Sequence, residues 1–165
     1  MSVGISFEEM LAWSDEASRQ WKIHFDTNPA ALELLCDIGP AKNVQGFLRH
    51  IWAAELRWAQ RLAGLPVLGR DDAPAGPLDA LFQLHREAME IYRNLLASPA
   101  HEWDETYTLD FDWIPADLRK PTRRKVAAHA LFHSQRHWAQ LATLLRQAGS
   151  PSTVRGDLIF SPVLK

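Results

Sequence analysis

Four long stretches of this chain repeat apolar residues with the period of an α-helix, so the fold must be built by packing helices on helices. The first starts near Ser6, and Glu9 three residues on completes a Ser-x-x-Glu capping pattern. Its stripe is Phe7, Met10, Leu11, Ala17, Trp21 and then His24 or Phe25. A short turn or helix is expected from Thr27 and Pro29 through Leu35, ending near Gly39-Pro40. The second helix is expected from about Ala41 to Gly64, with Pro66 as a breaker beyond it. Phe47, His50, Ile51, Ala54, Trp58 and Leu62 fall on one of its faces. The third carries Leu78, Leu81, Phe82, His85, Ala88, Met89, Tyr92, Leu95 and Leu96. The fourth opens at Pro121 and stops at Gly149 and Pro151, with Val126, Ala130, His133, His137, Leu141, Leu144 and Ala148 as its stripe.

Helices of this length with few other elements predict an all-α four-helix bundle, residues 1–165 forming one domain. The connection Leu65–Pro77 exceeds the ~2–8 residues that join antiparallel neighbours, which implies a long crossover connection. Residues 98–120 read as irregular, with a short hairpin strand predicted where Thr106–Phe111 alternate. The last sixteen residues are expected to pack across the bundle in extended form.

A formal net charge of -2 and a densest basic run of only Arg119, Lys120, Arg123, Arg124 and Lys125 argue against a nucleic-acid partner. That run sits where a helix should begin and reads as a solvated helix start. No apolar run approaches the ~20 residues that cross a bilayer, so no membrane partner is expected. Residues Met1 to Glu9 lack a basic region followed by an apolar one, and a signal peptide is not expected. The single cysteine, Cys36, allows no intramolecular disulfide and fits a reducing compartment, so the expected location is cytoplasmic.

Seven histidines, several on apolar faces, direct attention to metal chemistry. His133 and His137 stand at i and i+4 on the buried side of the fourth helix. Side chains so placed can converge on one ion at the ~2.0–2.1 Å that zinc requires. His129 lies about 12 Å along the axis from His137, too far for His129, His133 and His137 to share an ion. The pair His129–His133 remains a competing assignment. His50, mid-helix between Phe47 and Ala54, is the natural third ligand from another helix, although a core histidine bonded to a carbonyl would look the same. His85 and His24 read as core histidines and His101 as an exposed loop residue.

The chain lacks His-Glu-x-x-His, a cysteine pair, a nucleophile elbow and the paired Glu-x-x-His of di-iron bundles. What remains is a mononuclear, histidine-rich site with an open coordination position. Glu55 and Gln140 are candidates to orient the ligands or an attacking group. Trp58, Trp138 and Tyr92 are expected around any pocket above the ion.

The run from His129 through His133, His137 and Gln140 to Leu144-Leu145-Arg146-Gln147-Ala148-Gly149 resembles the last helix of the DinB/YfiT-like metalloenzyme family. The segment His50-Ile-Trp-Ala-Ala-Glu55-Leu-Arg-Trp58, ending Leu62-Ala-Gly64, is similar to that family's second helix. The resemblance spans nearly the whole chain. It implies an up-down-down-up bundle, often dimeric, with nickel or zinc on His50, His133 and His137. The wider superfamily includes bacillithiol S-transferases and a mycothiol-dependent isomerase, so the resemblance implies a transferase acting on a small-molecule thiol and an electrophile. A metal-dependent hydrolase and a non-catalytic, metal-binding stress-response bundle are the alternatives. Trp138-Ala139 departs from the polar or basic residue and Gly of many relatives, which bears on the pocket wall.

Overall fold

The computed structural model describes residues 4–163. Four helices dominate it: α1 (Phe7–Thr27), α2 (Val44–Ala63), α3 (Leu78–Ala97) and α4 (Arg123–Gln147). A 3-10 turn, Pro29–Glu33, links α1 to α2 where the sequence predicts a short connecting element. Among the described residues there is no strand and no helix long and apolar enough to cross a membrane.

Local chemistry sets the helix ends. The Ser6 hydroxyl accepts from the Glu9 amide, and the Glu9 carboxylate accepts from the Ser6 amide, closing the capping box. The second helix starts at Val44, three residues later than expected, because the Asn43 side chain accepts from the Gly46 amide and fixes the cap there. The fourth helix starts at Arg123, two residues after the expected Pro121, because the Thr122 hydroxyl accepts from the Lys125 amide and fixes the cap there. Gly64 ends α2 at φ 67°, a left-handed conformation that costs glycine least.

Cross-helix pairs give the direction of each helix. Trp52 meets Phe82 and Glu55 meets His85, a constant offset, so α2 and α3 run parallel. Phe47 meets His137 while Trp58 meets His129, so α2 and α4 are antiparallel. Phe7 packs on Tyr92, Asp15 on His85 and Lys22 on Asp79, so α1 opposes α3. The order is therefore up-down-down-up. α2 and α1 lie diagonally, each packed against both α3 and α4.

Parallel neighbours require the chain to travel back along the bundle between α2 and α3. A 20-residue helix is about 30 Å long, which explains the extended 65–77 connection. α2 itself holds that connection. Gln60 accepts from the Leu68 amide, Arg57 donates to the Leu68 and Gly69 carbonyls, Arg49 donates to Ala73, and Gln45 donates to Ala75. Descending positions on α2 meet ascending positions on the crossover, so the polar face of the helix aligns the returning strand of chain.

Three tryptophans fill the core between α1, α2 and α4. Trp138 stacks on Trp21 at 5.6 Å and meets Trp52 edge-on at 5.9 Å, and the Trp52 indole donates to Ser18. Burying an aromatic of this size contributes about 1.5–3 kcal/mol or more, which makes the cluster a principal source of stability.

Two expectations are corrected here. Thr106–Phe111 does not form a strand of a hairpin; its extended backbone makes one isolated bridge, Thr106 to Thr122, with Tyr107 and Leu109 donating to the Pro121 and Arg119 carbonyls. Pro121 has no N–H to return the Tyr107 bond, and the 3-10 turn Ala116–Leu118 ends the partner segment, so the ladder does not lengthen. The C-terminal residues do not pack across the bundle as a unit. Val154 reaches the core, while Leu158–Phe160 form a 3-10 turn with Ile159 86% exposed, and residues 164–165 lie outside the described chain.

Candidate metal centre

His50 on α2 and His133 and His137 on α4 come together because the two helices are antiparallel and register Phe47 against His137. One nitrogen from each ring lies within 4.8 Å of the others, a group that could hold a metal ion. The Nε2 atoms of His133 and His137 are 3.1 Å apart. Two nitrogens at ~2.0–2.1 Å from a tetrahedral ion are about 3.3–3.4 Å apart, so the observed spacing fits a shared cation. Phe47 forms the floor. Its fully buried ring stacks parallel to His50 at 6.4 Å and meets His137 edge-on at 5.0 Å.

Gln140 Oε1 lies 2.6 Å from His137 Nδ1. An amide oxygen only accepts, so Nδ1 carries the proton and Nε2 presents its lone pair toward His133. His133 Nδ1 is buried without a partner, so this ring lacks an equivalent support.

The local electrostatics keep the trio neutral. Burial first, then His137 and the guanidiniums of Arg57, Arg136 and Arg70, pull His50 down to about 4. Burial and the neighbouring His137 and His50 pull His133 down to about 3. Burial also lowers His137, against the opposing pull of its Gln140 bond. Neutral imidazole is the form that binds a metal, so the donor chemistry and the geometry agree.

The other sequence candidates lie elsewhere. His129 is exposed, edge-on to Trp58 at 5.4 Å and 6.0 Å from the His133 ring. His24 is buried against Trp21 and Phe25. His101, expected to be exposed, is half-buried because its ring packs on Trp103 at 4.4 Å. Of the expected pocket residues, Trp58 is half-buried beside His129, whereas Trp138 and Tyr92 belong to the core. The Trp138 departure therefore falls in the core, against Trp21 and Trp52, and exposed Ala139 faces a groove along α4.

Glu55 faces away from the trio. Its carboxylate is 2.7 Å from His85 Nδ1, and Asp15 is 3.0 Å from His85 Nε2. Burial of His85 opposes its charge, yet the two carboxylates outweigh that and raise its pKa. Periodicity alone flagged His85 as buried. The partners Asp15 and Glu55 were hidden because they lie on two other helices.

A family model described as the DinB family matches residues 2–155. No curated protein matches the chain. The match covers all four helices and the three converging histidines, and the chain belongs to the DinB family.

Proposed function

We propose that the chain is a single-domain, mononuclear metalloenzyme that transfers a low-molecular-weight thiol to an electrophile, with nickel or zinc held by His50, His133 and His137. The convergence of three neutral imidazoles within 4.8 Å carries this reading. Nitrogen donors of this kind suit both metals. Three protein ligands leave a coordination position for substrate, as catalytic sites require.

When bound, a divalent ion supplies Lewis acidity that lowers the pKa of a thiol reaching it. The chain's own groups do the rest. Gln140 keeps the proton on His137 Nδ1 and so keeps Nε2 available. Phe47 closes the inner side against water. Arg57, Arg70 and Arg136 lie close enough to His50 to depress its basicity, and the same positive potential favours an anionic thiolate. The thiolate sulfur then forms a bond to the electrophilic carbon, whose leaving group departs with its electron pair, and the thiol proton passes to solvent.

The proposed partners are a small-molecule thiol and an electrophile, with a homodimer as the assembly. The 87% exposed Leu35 beside an apolar groove of Leu34, Ile38 and Leu144 supports the dimer. Buried, unpaired Cys36 supports a cytoplasmic location. A thiol-transfer assay with monochlorobimane tests the reaction. The fluorescent thioether should form with metal-loaded protein and stop after chelation; undiminished transfer after complete metal removal would overturn the reading.

A further inference from the structure

One turn along α4 from the trio lies a cleft that none of the steps above uses. Its cavity of about 300 Å³ is bounded by Trp58 on α2, by Leu109, Trp113 and Leu118 from the segment before α4, and by Val126. That volume is at the lower end of the ~300–1,000 Å³ of small-molecule sites.

The walls are built in advance of any ligand. Trp113 stacks on Phe111 at 5.4 Å, Phe111 meets Trp58 edge-on at 5.9 Å, and the Arg61 guanidinium caps Trp58 and Phe111. Arg119 donates to the Ile114 carbonyl, and the Leu109 amide donates to Arg119, so the wall segment is closed on itself. Trp113 nevertheless remains 69% exposed, a large aromatic face with nothing covering it.

Two polar residues line the same cleft, Lys125 and His129, at i and i+4 on α4. Their neighbours Arg123 and Arg124 are paired with Glu105 and Asp104. Lys125 has no carboxylate partner among the described residues, and neither does His129. Continuing by fours, the next residues are His133 and His137, so Lys125, His129 and His133 form a ladder into the metal centre. Lys125 and His133 are about 12 Å apart along the helix axis, and His129 and His133 about 6 Å.

Resting on the transferase reading above, we infer that this cleft binds the electrophilic substrate: a flat, apolar, aromatic molecule with an anionic group at one end. The anion pairs with Lys125, the ring lies between Trp58 and Trp113, and the reacting carbon passes His129 toward His133. The molecule is therefore about 6–12 Å long from anion to reacting carbon.

The test uses an unreactive probe and no thiol. Binding of 4-(trifluoromethyl)benzoate to the metal-containing protein is followed by fluorine NMR, beside its neutral amide. Lys125→Met should weaken the benzoate about 1.5- to 5-fold and leave the amide unchanged. Trp113→Ala should weaken both by about 2- to 10-fold. Both residues are exposed, and circular dichroism checks that the variants fold. Failure of the benzoate to bind at millimolar concentration, or equal binding by wild type and both variants, would overturn the inference. The same titration on His50→Ala protein separates the two claims: preserved, Lys125-dependent binding there supports the cleft even if thiol transfer fails.

Discussion

Gln140 Oε1 and His137 Nδ1 are 2.6 Å apart, one turn along the same helix, and this contact fixes which ring nitrogen of His137 faces the site. Removing such a support typically costs ~10–100-fold in metal affinity. Gln140→Ala should lose affinity in that range while keeping its thermal midpoint in the metal-free state, because Gln140 is exposed. Competition with a chelator measures the first and a thermal scan the second. Unchanged affinity would show that the tautomer is set by something else.

His85 joins three helices through Glu55 and Asp15. His85→Leu leaves the Glu55 carboxylate buried without a partner, and breaking a buried pair costs about 3–5 kcal/mol. For a chain of this size that lowers the thermal midpoint by about 6–20 °C. Metal content should stay at the wild-type level, since Glu55 touches His85 rather than the trio. Loss of metal from a still-folded His85→Leu protein would contradict this separation.

The crossover contacts predict a local effect. Arg57 and Arg49 each donate to carbonyls of the 65–77 connection. Arg57→Ala should raise amide hydrogen exchange around Leu68 and Gly69 and leave the core of α2 protected. Uniform protection across the connection would show that its path is held by apolar packing alone.

The helices and most of their apolar faces were legible because they rest on periodicity, although α2 also buries Leu48, Trp52 and Leu56 off the expected stripe and Ala148 lies exposed beyond α4. The grouping of His50 with His133 and His137 was legible only in part, because spacing left His129–His133 as a rival pair and the resemblance favoured the three that converge. Helix starts were misjudged by up to three residues at Val44, where the Asn43 side chain outweighs the apolar pattern. The segment Thr106–Phe111 alternates like a strand, but Pro121 opposite it and the 3-10 turn Ala116–Leu118 leave a single bridge. Long-range polar contacts stayed hidden. Nothing in the local sequence ties Asp15 to His85, Arg49 to Ala73, or Trp113 to the neighbourhood of His129. Such contacts depend on the up-down-down-up arrangement, which the sequence implied only through resemblance and loop length.

The depressed basicity of the trio sets a pH dependence. His50 at about 4 and His133 at about 3 lie below the ordinary 6.5, so the unfolded chain takes up protons first as pH falls. In metal-free protein their stabilising contribution is present above 6.5 and is lost as pH falls toward those values. His85 runs the other way: its raised pKa gives stability that is present below 6.5 and lost as pH rises through its folded value. Proton competition for the metal should accordingly set in below 6.5 rather than at it. Chelator competition across a pH series measures this, and a loss of affinity centred on 6.5 would contradict it.

The most direct test of the metal centre is the metal content of protein purified without a histidine tag, measured for wild type and for His50→Ala, His133→Ala and His129→Ala. About one nickel or zinc ion per wild-type chain is expected, the same in His129→Ala, with loss of the ion in His50→Ala and His133→Ala. Unchanged metal content in both His50→Ala and His133→Ala would contradict it.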